Sequence, residues 1–132
     1  AVCMPQEPRC TPEERGAGVA GGMELGAHTR HHADLTAVEA ETALDGIAGC
    51  KRELEAIIGR EVRHFCYPYG HYGAGHREMV RDAGYATATT TERARAHCGD
   101  DLFELPRVLI ARTNHLLLFW SKVLHGYEDR RR

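Results

Sequence analysis

Val38, Leu44, Ile47, Cys50, Leu54 and Ile57 recur at the spacing of one helix face, while Glu39, Lys51, Arg52 and Glu55 fall on others. The pattern predicts a helix over 37–58. Thr36-Ala37-Val38-Glu39 has the form of a capping box at its start, and Gly59 sits at the usual C-terminal position. Short apolar runs flank it and read as strands: Met23 to Ala27 before it, then Val62 to Tyr67, Tyr85 to Thr89 and Leu105 to Ile110. Pro68-Tyr69-Gly70 closes the second run, and a short helix over 75–83 leads through Gly84 into the third. Thr113 or Asn114 is placed to cap a last helix, Leu116 to Leu124, stopping at Gly126. Strands that alternate with helices specify an α/β fold with mostly parallel strands. Four strands and three good helices are too few to close a ring, so an incomplete (β/α) barrel is expected.

The ordered unit is expected over 23–126. Residues 1–22 carry four glycines and three prolines and read as loop or poorly formed helix, and 127–132 read as a charged tail. Size and charge narrow the function classes. A chain of 132 residues forms one domain with a real core. Seventeen basic against 19 acidic residues give a net charge of −2, which excludes the basic footprint of a dedicated nucleic-acid binder. The one like-charge cluster, Arg130-Arg131-Arg132, ends the chain and reads as frayed tail. No apolar run approaches the roughly 18 residues needed to span a membrane. Five cysteines (Cys3, Cys10, Cys50, Cys66, Cys98) without a CxxC pair argue against a disulfide framework or a thiolate zinc site. The chain has neither an initiator methionine nor a charged-then-apolar leader, as expected of one that begins inside a longer gene product.

Chemistry concentrates in Gly26-Ala27-His28-Thr29-Arg30-His31-His32-Ala33-Asp34-Leu35-Thr36. His28 and His32 are four residues apart, a spacing that on a helical turn puts two imidazoles on one face, close enough to grip one metal ion. They lie between a strand end and a helix start, where α/β proteins usually keep their chemistry.

His28-Thr29-Arg30-His31-His32, followed by Leu35-Thr36, resembles the metal-binding His-Ser/Thr-x-x-His motif of the polysaccharide deacetylases, the glycan deacetylases with a NodB homology domain. Phe65-Cys66-Tyr67-Pro68-Tyr69-Gly70 is similar to the Phe-x-Tyr-Pro-Tyr-Gly loop of one branch. Ala83 to Thr90 resembles the helix-to-strand passage that follows, and Leu105-Pro106-Arg107-Val108 the last core strand. Four segments in family order, over roughly residues 22–126, make the resemblance specific. It implies a fold of the NodB-homology type and removal of acetyl groups from an acetylated polysaccharide or oligosaccharide. It implies one divalent metal, zinc first, with His28 and His32 as ligands. His31 would face elsewhere, and Thr29 would steady the turn through its hydroxyl. The backbone amide of Tyr69 would hold the oxyanion, with Pro68 fixing the loop. Tyr67, Pro68 and His71 are candidates to line the sugar cleft, and Arg107 to supply a catalytic charge.

Departures from the family pattern set a second expectation. Family members carry an Asp-Asp pair on a strand upstream of the histidines, one as general base and one as third metal ligand. Here the 27 residues before His28 contain no aspartate. Asp100-Asp101 precedes the Leu105 run, where turn formation is the expected role. Cys66-Tyr67 occupies the stretch where the family has an arginine. Leu124-His125 is similar to the family's late Leu-x-His acid motif, but its position before Gly126 fits a histidine meeting a helix end. His64, His76, His97 and His115 read as surface or loop residues, and Phe119 and Trp120 as core. Three readings follow: a C-terminal portion of a deacetylase with little activity alone, a non-catalytic glycan-binding remnant of the same fold, or a plain two-histidine metal site. Motif order disfavours the third. An incomplete barrel with an exposed strand edge is also expected to be marginally stable by itself.

Overall fold

The structure, a computed structural model, describes residues 11–127 and 129. Cys3, Cys10 and Arg130 to Arg132 lie outside them.

Four stretches of chain meet side by side, all parallel. Strand β1 (His64–Cys66) pairs with β2 (Thr87–Thr89) in the register His64–Thr87, Phe65–Ala88 and Cys66–Thr89. Ala27 bridges to Phe65 on one side and Leu105 to Thr89 on the other. The order is therefore Ala27, β1, β2, Leu105, which is chain order. The four runs expected as strands are all present in the sheet, but much shorter than their apolar stretches. Met23 to Ala27 contributes only Ala27, whose amide donates to the His64 carbonyl at 2.8 Å and whose carbonyl accepts from the Cys66 amide at 2.9 Å. The Leu105 run contributes one bridge: the Leu105 amide donates to the Ala88 carbonyl and its carbonyl accepts from the Thr90 amide, but the next ladder donor, the Arg107 amide, turns to the Glu92 carbonyl instead.

Alternation gives this small sheet two faces. Phe65 and Ala88 are buried on the outer face, in a cluster with Leu35, Ile47, Leu54, Val62, Val80 and Tyr85. The Phe65 ring lies 5.2 Å from that of Tyr85 and 5.3 Å from that of Tyr67, centroid to centroid. His64, Cys66, Thr87 and Thr89 point to the opposite face and are only half-buried. An arc of parallel strands with one packed and one partly open face is an incomplete barrel.

The helices depart from expectation in instructive ways. Residues 12–20 form α1 (Pro12–Ala20), a proper helix despite Gly16 and Gly18. A reciprocal cap forms it: the Thr11 hydroxyl accepts from the Glu14 amide at 3.2 Å, and the Glu14 carboxylate accepts from the Thr11 amide at 2.7 Å. Pro12 occupies the first turn, where its missing N–H costs nothing. The single helix expected over 37–58 is instead α2 (Ala40–Leu44), a wide π turn over Asp45–Gly49, and α3 (Cys50–Ile58). Thr36 does not open it. Asp34 accepts from the Thr36 amide at 3.0 Å and hydroxyl at 2.7 Å, so the earlier carboxylate captures both donors and makes a 3₁₀ turn over Leu35–Ala37. Val38 is then extended, and Glu39 starts α2 without a side-chain cap. Gly59 does end α3, with a left-handed φ of 64° and its amide on the Glu55 carbonyl at 2.9 Å.

Helix α4 (Ala74–Asp82) buries Val80. Helix α5 (Leu116–Leu124) has the expected bounds, but His115 caps it, accepting from the Leu118 amide at 3.3 Å. Asn114 instead accepts from the Ala111 amide. Trp120, read as core, is 48% exposed, and Leu116, Leu117 and Leu124 are exposed with it. Phe119 is half-buried. The buried side chain of α5 is Lys122, whose ammonium donates to the Leu109 carbonyl at 2.6 Å. Asp100 and Asp101 do serve turns, accepting from the His97 and Phe103 amides, and Asp101 also pairs with Arg77.

The packing difference between Phe65 and α5 is measurable. Phe65→Ala removes the ring at the centre of the core and is expected to cost about 3–5 kcal/mol in urea unfolding. Leu117→Ala, at a side chain 77% exposed, should stay within about 0.5 kcal/mol. Similar losses at the two positions would show that the core is not where the structure puts it.

Candidate functional site

Among the described residues, three non-glycine residues have left-handed φ: Thr29 (59°), His32 (53°) and Tyr69 (59°). All three belong to the two segments singled out as chemical. Such angles cost free energy in ordinary residues and gather where the chain must aim side chains. The residues 28–32 are therefore a loop, not the helical turn expected from their spacing. The loop nonetheless brings the histidines together. The His28 and His32 rings lie edge to face with centroids 4.7 Å apart, and the Tyr69 ring stands 4.7 Å from His32 on the far side.

Each ring is held by something definite. Ala27 is bridged to β1, so the next residue, His28, emerges beside Cys66. Its Nδ1–H donates to the Cys66 carbonyl at 2.6 Å, which leaves Nε2 as the free ring nitrogen, the tautomer that suits a metal ligand. Between the histidines, Arg30 pins the loop to the helices, donating to Asp45 at 2.6 Å and Glu53 at 2.5 Å. The π turn makes that possible: a Cβ on Gly49 would stand 2.8 Å from the Arg30 guanidinium carbon. Thr29 does not steady the turn through its hydroxyl. Its side chain is buried, and Oγ1 has no partner among the described residues. It is fixed by burial beside Gly46. His31 is exposed, as expected.

The second segment is a 3₁₀ turn over Pro68–Gly70, closed by the Gly70 amide on the Tyr67 carbonyl and the His71 amide on that of Pro68. The Tyr69 amide has no acceptor among the described residues, and its side chain is 58% exposed. Gly70 is obligatory here. Its φ is 77°, and a Cβ would fall 2.0 Å from the Thr91 hydroxyl. Two candidates for the sugar cleft need correction. Tyr67 is fully buried, stacked on Tyr72 at 4.4 Å, and its hydroxyl donates to the Phe103 carbonyl at 3.1 Å. Burial pushes its phenol pKa up. Pro68 is buried as well. These side chains support the loop from below and line no cleft. His71 is exposed, with its ring 6.0 Å from Tyr69 and its Nδ1 2.7 Å from an Asp34 carboxylate oxygen. Hydrogen bonds from His71 and then Thr36 hold the Asp34 pKa down at about 2.

His28, His32, Tyr69 and His71 thus form one continuous run of rings. The Arg107 guanidinium is engaged next to it, donating to the Thr90 carbonyl at 2.6 Å with its charge felt at Cys66. His125 ends α5, its amide on the Ser121 carbonyl. Among the described residues no three His, Cys, Asp or Glu side chains are grouped to hold a metal. The two imidazoles fit two positions of a coordination shell, and no third ligand joins them there. Spacing alone did not single out Arg30, Asp34 or Cys66. The only local signal was the Asp-x-Thr pattern of an Asx turn at Asp34.

Residues 6–88 match the sequence profile of polysaccharide deacetylases. The chain belongs to the polysaccharide deacetylase family. A polysaccharide deacetylase from Bacillus cereus superposes with a TM-score of 0.80 at 27% identity, over 90% of this chain and 38% of that one. A Streptococcus pyogenes deacetylase, solved with acetate, superposes with a TM-score of 0.84 at 19% identity, over 89% of this chain and 52% of that one. The chain therefore spans between about a third and a half of the length of these two proteins. No curated protein sequence matches it significantly.

Within this family member one acid beside the histidines, Cys66, has a lowered pKa. Burial alone would raise its thiol pKa. Hydrogen bonds from His28 and Thr89, with the charge of Arg107 nearby, outweigh that and bring it to about 7. Burial likewise opposes charge on His28, but the Cys66 thiol and carbonyl outweigh it, and the His28 pKa is raised. Iodoacetamide labelling of Cys66, read by peptide mass spectrometry, should follow pH with a midpoint near 7. His28→Ala should move that midpoint toward the ordinary thiol value of about 8.5. An unchanged midpoint would show that His28 does not act on the thiol.

Proposed function

We propose that this chain carries the histidine half of a site for metal-dependent hydrolytic removal of acetyl groups from an acetylated polysaccharide or oligosaccharide. The observation that carries the reading is the run His28, His32, Tyr69, assembled from two separate segments on strained backbone. Strain of this kind at Thr29, His32 and Tyr69 has no purpose in a plain surface loop. Family membership supports the same chemistry, and the fold neighbour from Streptococcus pyogenes was solved with acetate, the product such a reaction releases.

A divalent ion, zinc first, would be held by His28 Nε2 and His32, and would supply Lewis acidity to the acetyl carbonyl and to water. The remaining steps belong to the chain. The Cys66 carbonyl keeps His28 in one tautomer, and Arg30 keeps the loop from swinging away. The unpartnered Tyr69 amide donates to the oxyanion that develops when water adds to the acetyl carbon. Pro68, buried beneath, and Gly70, pressed on Thr91, stop that amide from turning. His71, at the exposed edge of the run, lines the cleft.

No carboxylate is grouped with the two histidines among the described residues, so two ligands bind an ion weakly and no side-chain base stands beside it. That observation favours a second reading beside the first, in which the chain binds an acetylated glycan without hydrolysing it. Isothermal zinc titration should show weak binding by the parent chain and at least about a tenfold loss for His28→Ala and for His32→Ala. Equal binding by parent and variants would overturn the ligand assignment. Acetate assays with an acetylated chito-oligosaccharide should show little release by the 132-residue chain. Binding without release would favour the second reading, and brisk release would show that these residues suffice.

A further inference from the structure

The run of rings ends at a pair that the proposed chemistry leaves unexplained. Asp34 follows His32 by two residues, and His71 follows Tyr69 by two. Beyond the bonds of Ala27 and His28 to Cys66, the two segments carrying the histidine pair and the Tyr69 amide are therefore tied at their far ends by a hydrogen bond from His71 Nδ1–H to Asp34 Oδ2, at 2.7 Å. Asp34 is itself immobilised. Its other oxygen accepts from the Thr36 amide at 3.0 Å and the Thr36 hydroxyl at 2.7 Å. A carboxylate fixed by two donors cannot rotate to follow its partner, so it dictates where the imidazole sits.

An ionised carboxylate only accepts, so the imidazole nitrogen facing it must carry the proton. Neutral His71 is then the Nδ1–H tautomer, and Nε2 is left with its lone pair. The His71 side chain is 58% exposed and its ring is 6.0 Å from that of Tyr69, so Nε2 is accessible at the edge of the oxyanion loop. The side chains on the other side of the run are spoken for. His28 is bonded to the Cys66 carbonyl, and His32 is packed between two rings.

We propose that Asp34 is a positioning residue that locks His71 in the Nδ1–H tautomer, so that His71 Nε2 accepts a hydrogen bond from a hydroxyl or acetamido N–H of the glycan bound over the Tyr69 loop. The proposal rests on the glycan reading above for its ligand, but the tautomer half stands on this chain alone. It also explains a coincidence of design. One side chain, Asp34, both starts the 3₁₀ turn after the histidine loop and sets the polarity of a substrate contact on the other loop. A structural tie between the loops would need only a hydrogen bond of either direction. A glycan contact needs the proton on a specified nitrogen.

Asp34→Asn separates these roles. The amide oxygen still accepts from Thr36 and preserves the turn, while the amide NH₂ now faces His71 Nδ1 and donates to it. The tautomer must reverse, turning Nε2 from acceptor into donor. Long-range ¹H–¹⁵N spectra of the full chain, labelled with ¹⁵N-histidine and recorded above the imidazole titration, report the tautomer directly. The parent should show His71 as Nδ1–H and Asp34→Asn as Nε2–H. Identical tautomers in the two proteins, or Nε2–H in the parent, would overturn the positioning role whatever the chain binds. Penta-N-acetylchitopentaose is then added. The expected result is movement of the His71 Nε2 signal and of the Tyr69 amide in the parent, with affinity weaker by about three- to tenfold in Asp34→Asn. Movement at the Tyr69 amide with none at His71 Nε2 would overturn the glycan contact while leaving the glycan reading intact. No response anywhere, with the tautomers as expected, would overturn both the contact and the glycan reading.

Discussion

The site depends on two hydrogen bonds of the most ordinary kind. The Ala27 amide donates to the His64 carbonyl and the Ala27 carbonyl accepts from the Cys66 amide, joining one residue of the first run to β1. In a parallel pairing, register fixes which neighbours share a level. Once Ala27 is level with Phe65, His28 must leave the sheet beside Cys66, whose carbonyl takes its Nδ1–H. Two residues beyond that carbonyl the chain reaches Pro68 and the Tyr69 turn. A slip of one residue would put His28 on the opposite face and leave Tyr69 without its neighbour. The histidine loop and the Tyr69 loop are thus adjacent because two backbone strands are, and everything else trims the distance between them.

The trimming is done by contacts to the helices. Left-handed backbone at Thr29 and His32 is unfavourable in isolation, so the loop must be overdetermined by its surroundings. Arg30 does this with one guanidinium on two carboxylates that lie about two turns apart on the widened helix, Asp45 and Glu53. Exposed ion pairs are individually weak, about 0–1 kcal/mol each. What they supply here is direction: a fork that meets two acceptors has few orientations available. The π turn, often a mark of functional sites, brings Gly49 under the fork where a normal side chain would collide.

The sequence made the order of elements legible because apolar periodicity is a local signal, and chain order turned out to be sheet order. Length of the strands was not legible, since pairing depends on what arrives alongside. Nothing in Met23 to Gly26 says that only Ala27 comes within bonding distance, and nothing after Leu105 says that the Arg107 amide turns to Glu92. The histidine pair was found for a reason that the structure replaces. A spacing of four suggests a helical turn, but the rings meet through two left-handed residues, and positive φ at threonine and histidine leaves no trace in the letters. Tyr67 was misplaced for a related reason. Strand alternation puts Phe65 and Tyr67 on one face, so the buried Phe65 already implied a buried Tyr67 once the register was known. Thr36 lost its capping role to Asp34 because an Asx acceptor two residues before a donor closes its turn first.

Partner residues such as Asp34 and Cys66 illustrate a more general asymmetry. A ligand or an oxyanion donor belongs to a motif with fixed spacing and can be read along the chain. The groups that choose a tautomer or shift a pKa are chosen by proximity in space, and here they stand 37 and 38 residues away from the rings they govern. Their chemistry is nevertheless constrained. A ring nitrogen that must be protonated needs an acceptor that cannot donate, which admits a carboxylate or a backbone carbonyl and excludes an amide or a hydroxyl. His71 has the first and His28 the second. The two outer rings of the run are therefore held in the same tautomer by different means, each with Nε2 left over. A pair of imidazoles fixed alike at both ends of a strained loop assembly is what pre-organisation requires, because neither ring has to reorient when a ligand arrives.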